Sequence, residues 1–447
     1  MPSSPQDSAT SYRTILQRTW PIILANSAAP FLGLADTAVI GRTGTTASLG
    51  AIALGALVFS FVYWTFGFLR MGTTGLISQA DGSGNEAEVR AILGRFVLTG
   101  SGIGLILVVL QLPIFYIALS ILSGSQAVET SAGEYLNIRI WGAPATLASY
   151  ALMGGLIGLG KSRTLLFVQL VLNGINIALD ILFAGYLGMG VAGIALGTLI
   201  AEWTACLFAL FLVIRLLKQR QHDTEPFLSW SRISDTKQLI RTLGVQVNIM
   251  IRTLSLLVGF GWFTQQGAKL GDIVLAANHI LLQFVSFSAF FLDGIAYATE
   301  ALIGKAAGAR KVDVFTILVR RTMKLAGFLS IILAIGFFLF GSSIIHALTD
   351  LPDVRQTAIS ILPFASIYIA VSFVTFQLDG IFIGTTRTQE MRNAGLVALA
   401  LFLLLAWPLV NAYGNTGLWI AFIGFILLRA GSLLVFYPRL KQSIKGS

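Results

Sequence analysis

Two aspartates, two asparagines and a threonine stand in runs that should be apolar throughout. Asp36 lies in the stretch Pro21–Ile40, which is long enough to cross a bilayer and otherwise holds no charge. An ionised group in hydrocarbon is costly, so such residues usually serve a transport pathway or a coupling ion. Asp180 has Asn176 one helical turn before it and Asn173 two turns before it, so all three share one helix face. Thr198 lies in the next apolar run. Asp36 and Asp180 are each about five residues from the outer end of their runs and Thr198 about seven, which at 1.5 Å per residue places them roughly 7–10 Å deep. Two carboxylates, two amides and a hydroxyl at one depth make an oxygen-rich cation site. A close pair of carboxylates can equally share a proton. The competing role for Asn173, Asn176 and Thr198 is hydrogen-bonding between helices. Glu202, one turn after Thr198, either joins this cluster or pairs elsewhere.

The elements that position these groups follow from composition. Of 447 residues 55% are hydrophobic and 11% charged, with 46 glycines and a mean hydropathy of +0.81. A soluble domain would carry about a quarter charged residues. Runs of apolar residues separated by short polar punctuation indicate an all-α integral membrane protein. The ten-residue alternation of an outer-membrane barrel is absent. Twelve spans are expected, near Thr14–Val39, Leu49–Ser78, Leu93–Leu122, Leu136–Leu159, Thr164–Gly185, Val191–Leu217, Ile240–Gln265, Ile273–Ile303, Ile317–Leu348, Thr357–Gly384, Ala394–Tyr413 and Thr416–Tyr437. With both termini inside, 24 of the 30 lysines and arginines, Arg90, Arg95 and Arg429 among them, fall to the cytoplasmic side. This is the positive-inside pattern of a bacterial-type inner membrane protein. The +10 net charge then orients the chain in its bilayer and implies no nucleic-acid partner. Met1–Tyr12 has no signal-peptide pattern. The single cysteine, Cys206, excludes a disulfide framework.

The chain repeats itself. Leu76, Ile77, Ala80, Gly82 and Arg95 recur as Leu302, Ile303, Ala306, Gly308 and Arg321. Gly160, Arg163, Thr164 and Gly193 recur as Gly384, Arg387, Thr388 and Gly417. Six spans per unit give a parallel repeat, two six-helix bundles related by an axis along the membrane normal. The expected organisation is an N-lobe over 1–220, a linker over 221–239 and a C-lobe over 240–447. Phe227, Leu228, Trp230 and Ile233 would let that linker rest on the membrane surface. Two similar lobes suit alternating access, although a parallel repeat alone also suits a sugar-type facilitator.

The acids are not repeated. Asp36 falls near Phe260 or Trp262 in the second half, and Asp180 falls on Leu404. The second half carries its own buried charges: Asp293, Tyr297 and Glu300 on one face of the eighth span, and Asp379 in the tenth. Arg252 and Asp293 match in depth, which suggests an ion pair that is cheaper to bury than either charge alone. These residues are candidates for a gate or substrate contact in the C-lobe. Pro21 and Pro30 interrupt the first span, and each removes a backbone hydrogen bond and favours a bend.

Gly155–Ser162 matches the phosphate-loop pattern, but the pattern needs a strand before it and a helix after it. Here it ends an apolar span. Histidines 222, 279 and 346 are scattered without ligand spacing, so no catalytic metal centre is expected.

Three segments together resemble the multidrug and toxic compound extrusion (MATE) family, specifically its DinF branch. They are Leu34–Gly41, Leu292–Glu300, and Leu378–Arg387 with Glu390–Asn393. The resemblance covers essentially the whole chain. It implies a V-shaped two-lobe exporter driven by inward cation flow, with Pro21 as the kink of the first helix. It also implies Asp36, Asn176, Asp180 and Thr198 as the N-lobe cation site, with a proton or Na⁺ as the coupling ion and no other cofactor. The DinF branch favours the proton; the oxygen cluster would also hold Na⁺. The cargo would be amphipathic, often cationic compounds, and the exporter is expected to act as a monomer. A flippase for lipid-linked or amphipathic metabolites is the alternative transport function. An intramembrane enzyme would need a nucleophile–base pair or metal ligands that the sequence does not display.

Overall fold

A computed structural model describes residues 10–122, 125–221 and 225–446, apart from the side chains of 28–35, 43, 121–122 and 446. Pro30 and His222 therefore lie outside the described side chains. The described residues are helical with no strand. The elements are α1 (Tyr12–Thr43), α2 (Thr46–Thr65), α3 (Phe68–Gly82), α4 (Glu86–Val109), α5 (Gln111–Leu122), α6 (Gln126–Arg139), α7 (Ala143–Gly158), α8 (Ser162–Asp180), α9 (Gly190–Gln219), α10 (Trp230–Ile233), α11 (Thr236–Lys269), α12 (Asp272–Gly308), α13 (Val312–Leu348), α14 (Pro352–Gly384) and α15 (Thr388–Gly446).

The expected spans are all present, some built from two consecutive helices. The second combines α2 with α3, the third α4 with α5, and the fourth α6 with α7. α15 holds the eleventh and twelfth, separated at Gly414, whose φ of 56° and ψ of −130° break the helix. In hydrocarbon a continuous helix satisfies every backbone group within its own segment, which is why few loops interrupt these spans.

The helices form two compact units, one of residues 24–243 and one of residues 10–23 with 244–446. In the first, α3 and α4 both pack on α7. In the second, α12 and α13 pack on α14 in the same relation of second and third spans to the fourth. The repeated residues carry repeated contacts. A Cβ on Gly193 would strike the backbone of Phe183 and Ala184, and one on its counterpart Gly417 would strike that of Leu409. Each glycine lets its span cross the preceding one at close range.

The repeated arginines do similar work. Arg95, with 1% of its side chain exposed, donates through Nη2 to the Arg232 carbonyl at 2.6 Å and through Nε to that of Ile233 at 3.3 Å. Its Nη1 meets Glu88 at 2.9 Å. Arg90 adds a bond to the Phe227 carbonyl at 3.0 Å. In the other unit Arg321 donates to the Thr10 carbonyl at 2.7 Å and lies 5.5 Å from the Tyr12 ring centre. Each arginine thus fastens the chain just before it enters α11 or α1. Arg90 and Arg95 are buried, not loop charges in solvent. The linker is turned to match: Ile233 is buried, while Leu228 and Trp230 face outward. We expect Arg95→Ala to destabilise the protein by about 2–4 kcal/mol, because the half-buried Glu88 carboxylate and two carbonyls lose their donor. Arg321→Ala should cost about 1–2 kcal/mol. Thermal unfolding in detergent would check both, and equal losses would contradict the ranking.

Candidate functional site

Asp36 reaches the site from α1, Asn176 and Asp180 from α8, and Thr198 from α9; all four side chains are buried. The Asn176 amide has one orientation in which both its ends meet complementary atoms. There Nδ2 donates to Asp180 Oδ2 at 3.2 Å and to Asp36 Oδ1 at 3.3 Å, and Oδ1 accepts from Thr198 Oγ1 at 3.0 Å. Turned over, the amide donates to Thr198 Oγ1 at 3.0 Å, and the Thr198 hydroxyl donates to the Ile194 carbonyl, also at 3.0 Å. The carboxyl groups of Asp36 and Asp180 are themselves within hydrogen-bonding reach of each other. Asn173 is half-buried on the same helix, and the bonds that join the acids run through Asn176.

Two local features hold Asp180 in place. The α-helix gives way at Ile181 to a π-helical stretch ending at Tyr186, a distortion that often accompanies functional positions. A Cβ on Gly197 would also lie 2.5 Å from Asp180 Oδ1. We expect Gly197→Ala to displace that carboxylate and destabilise the protein by about 1–3 kcal/mol. Transport should then fall further than the loss of folded protein explains, which a rate normalised to correctly folded protein would reveal.

A second polar group lies in the same unit, and the sequence left its partner open. Glu202 faces Arg139, with Oε1 3.6 Å from Nη2. Arg139 Nη1 donates to the Tyr135 hydroxyl at 2.6 Å, and its guanidinium carbon is 4.9 Å from the Phe59 ring centre. Arg139 also acts electrostatically on Asp36 and Asp180, so the two groups form one charge system.

In the other unit the positions matching Asp36 hold rings. Phe260 stands 5.0 Å from Phe422, and Trp262 stands 5.2 Å from Phe402, both edge-on. The charges there gather elsewhere. Arg252 Nη2 donates to Asp379 Oδ2, and Arg429 Nη2 donates to the same oxygen at 2.9 Å. The depth match pointed to Asp293; the direct partner is Asp379, with Asp293, Tyr297 and Glu300 within electrostatic range of Arg252. Arg429 is a buried member of this cluster and not one of the terminal loop charges. The phosphate-loop look-alike is the end of α7, where a Cβ on Gly158 would press on the Thr74 carbonyl. Among the described residues no three His, Cys, Asp or Glu side chains converge to hold a metal.

Apolar spans around buried, hydrogen-bonded acids define an integral membrane transport protein. The MatE family profile matches residues 21–182 and again 251–408, once in each half of the repeat. The chain is 38% identical to the DNA damage-inducible protein F of Escherichia coli K12 over 94% of its length and 90% of that relative. It is 27% identical to a probable multidrug resistance protein NorM of Rhizobium meliloti, over 95% and 92%. Crystal structures of MATE in a bent conformation (TM-score 0.87, 20% identity, 99% and 98% covered) and a straight one (0.86, 19%, 100% of both) share its fold. The chain belongs to the MatE family and is a transporter, not an enzyme.

Proposed function

We propose that this transporter exports amphipathic, often cationic compounds in exchange for an inward-moving cation that binds at Asp36 and Asp180. The observation that carries this reading is the single amide, Asn176, bridging two buried carboxylates. Three acids, Asp36, Asp180 and Glu202, face Arg139 in one unit. When all are ionised the group carries excess negative charge, which burial makes costly. A proton, a Na⁺ ion or a cationic cargo relieves it, and occupancy by one disfavours another. That mutual exclusion is what an antiporter needs.

The two amide orientations supply a readout. With both carboxylates ionised, Asn176 turns its N–H groups to them and accepts from Thr198. Once a carboxyl carries a proton it can donate to the amide oxygen; Asn176 then turns over and donates to Thr198, whose hydroxyl moves to the Ile194 carbonyl. The change loosens Asp36 from α8, and α1 can bend near Pro21, where the missing N–H weakens the helix. Relatives of the same fold in bent and straight conformations support such a movement, and the NorM name supports drug-like cargo. Of the coupling ions we favour the proton, since a carboxyl hydrogen bond completes the amide exchange without further ligands.

The positive-inside pattern supports both termini in the cytoplasm of a bacterial inner membrane, with six-span halves at 1–220 and 240–447 joined by 221–239. We take the monomer as the working unit. The test is ethidium transport in proteoliposomes with pH and Na⁺ gradients imposed separately. Uphill movement under the pH gradient alone supports proton exchange; under Na⁺ alone, the sodium alternative; under neither, the antiport reading fails.

A further inference from the structure

We infer that Arg139 is a resident cation seated where the charged head of a cargo molecule binds, so that the protein carries a tethered stand-in for its own substrate. The inference rests on the reading of the cargo as cationic and specifies the seat it takes. The seat is an aromatic and carboxylate cage. The Arg139 guanidinium lies over the faces of Phe59 at 4.9 Å and Tyr135 at 5.5 Å. Glu202 supplies the negative charge from α9, and both rings are buried. Flat or alkylated organic cations are recognised by this combination of ring faces and one carboxylate.

Arg139 is held by one short hydrogen bond to Tyr135 but meets its carboxylate only loosely. Its approach to Glu202 is 3.6 Å, beyond the 2.7–3.2 Å of an N–H···O bond. Arg139 Nε and Glu202 Oε2 are both buried without a hydrogen-bond partner among the described residues. A structural arginine–carboxylate pair in a membrane interior would close into a two-pronged contact that uses these atoms. Glu202 Oε2 occupies the place that a Cβ on residue 142 would take, so the glycine there makes room for the carboxylate. An open pair held between rings suits a cation that must yield its place. Glu202 and the two rings bind whichever cation is present, and Arg139 sets the affinity threshold that a cargo must exceed.

The probe is methylguanidinium, small enough to enter the cage without the bulk of a drug. Its equilibrium binding to the purified full-length transporter should tighten at least tenfold in Arg139→Ala. Arg139→Lys, which keeps a resident cation, should stay near wild type. Adding Glu202→Gln to Arg139→Ala should remove the gain. Unchanged or weaker binding by a folded Arg139→Ala protein overturns the inference. Where Arg139→Ala lowers thermal stability, methylguanidinium should raise its Tm and leave that of wild type unmoved; absence of this rescue overturns it as well. Binding needs no gradient, so the cage and the antiport mechanism fail independently: a binding gain with no gradient-driven export would sink only the latter.

Discussion

Asp36→Asn is expected to abolish uphill cargo export while leaving the protein folded. Asparagine has nearly the shape of aspartate and can still hydrogen-bond, so the network around Asn176 keeps its geometry. What it loses is the capacity to change charge. One proton entering for each ethidium cation that leaves moves no net charge, so a pH gradient of two units, about 2.7 kcal/mol, corresponds to roughly hundred-fold accumulation. That accumulation ratio should collapse to about one in the variant, and downhill exchange should persist at a reduced rate. Asp180→Asn should reproduce most of the defect, since the two acids act through a single amide. The check is the steady-state ethidium ratio across energised proteoliposomes, with thermal unfolding measured in parallel. A variant that still concentrates dye would remove Asp36 from the coupling step.

The largest effect on stability is expected at Asp379. Its Oδ2 is the shared acceptor for Arg252 and Arg429, all three side chains being buried. Asp379→Ala leaves two guanidinium groups facing each other without that acid, a loss of about 3–5 kcal/mol. For a unit of this size the shift in Tm is roughly 10 °C. Replacing all three by apolar side chains of similar volume should recover most of the loss, because desolvation opposes such clusters as strongly as attraction favours them. The triple variant also decides what the cluster does. Stable protein that transports normally would mark it as packing; stable protein that transports nothing would mark it as a gate or cargo contact.

The sites differed in how far their residues revealed them, for physical reasons. Asp36, Asn176, Asp180 and Thr198 were legible because helical spacing fixes which residues share a face, and distance from a span end fixes depth. The duplication was legible because the same close contacts recur at Gly193 and Gly417 and at Arg95 and Arg321. Depth alone could not choose between acids, so Arg252 pointed to Asp293, whereas it meets Asp379 on α14. Arg429 resembled a terminal loop charge because four basic residues follow one another toward the end of the chain. Its neighbour Phe425, one turn earlier and fully buried, was the available sign that this face of the helix turns inward. The Arg139–Glu202 pair joins α6 to α9, and no periodicity within one helix reports a contact between two. The π-helical stretch after Asp180 had no signal in residue type at all.

The central claim is that cargo leaves in exchange for a cation taken up at Asp36 and Asp180, and reciprocal flow tests it most directly. Proteoliposomes loaded with ethidium and given no ion gradient should draw cations inward as the dye leaves. A trapped pH indicator or labelled Na⁺ would register the entry. Wild type should show one of the two signals in proportion to dye efflux, and the Asp36→Asn, Asp180→Asn double variant should show neither. Dye leaving wild-type vesicles with no matching entry of either cation would contradict the account.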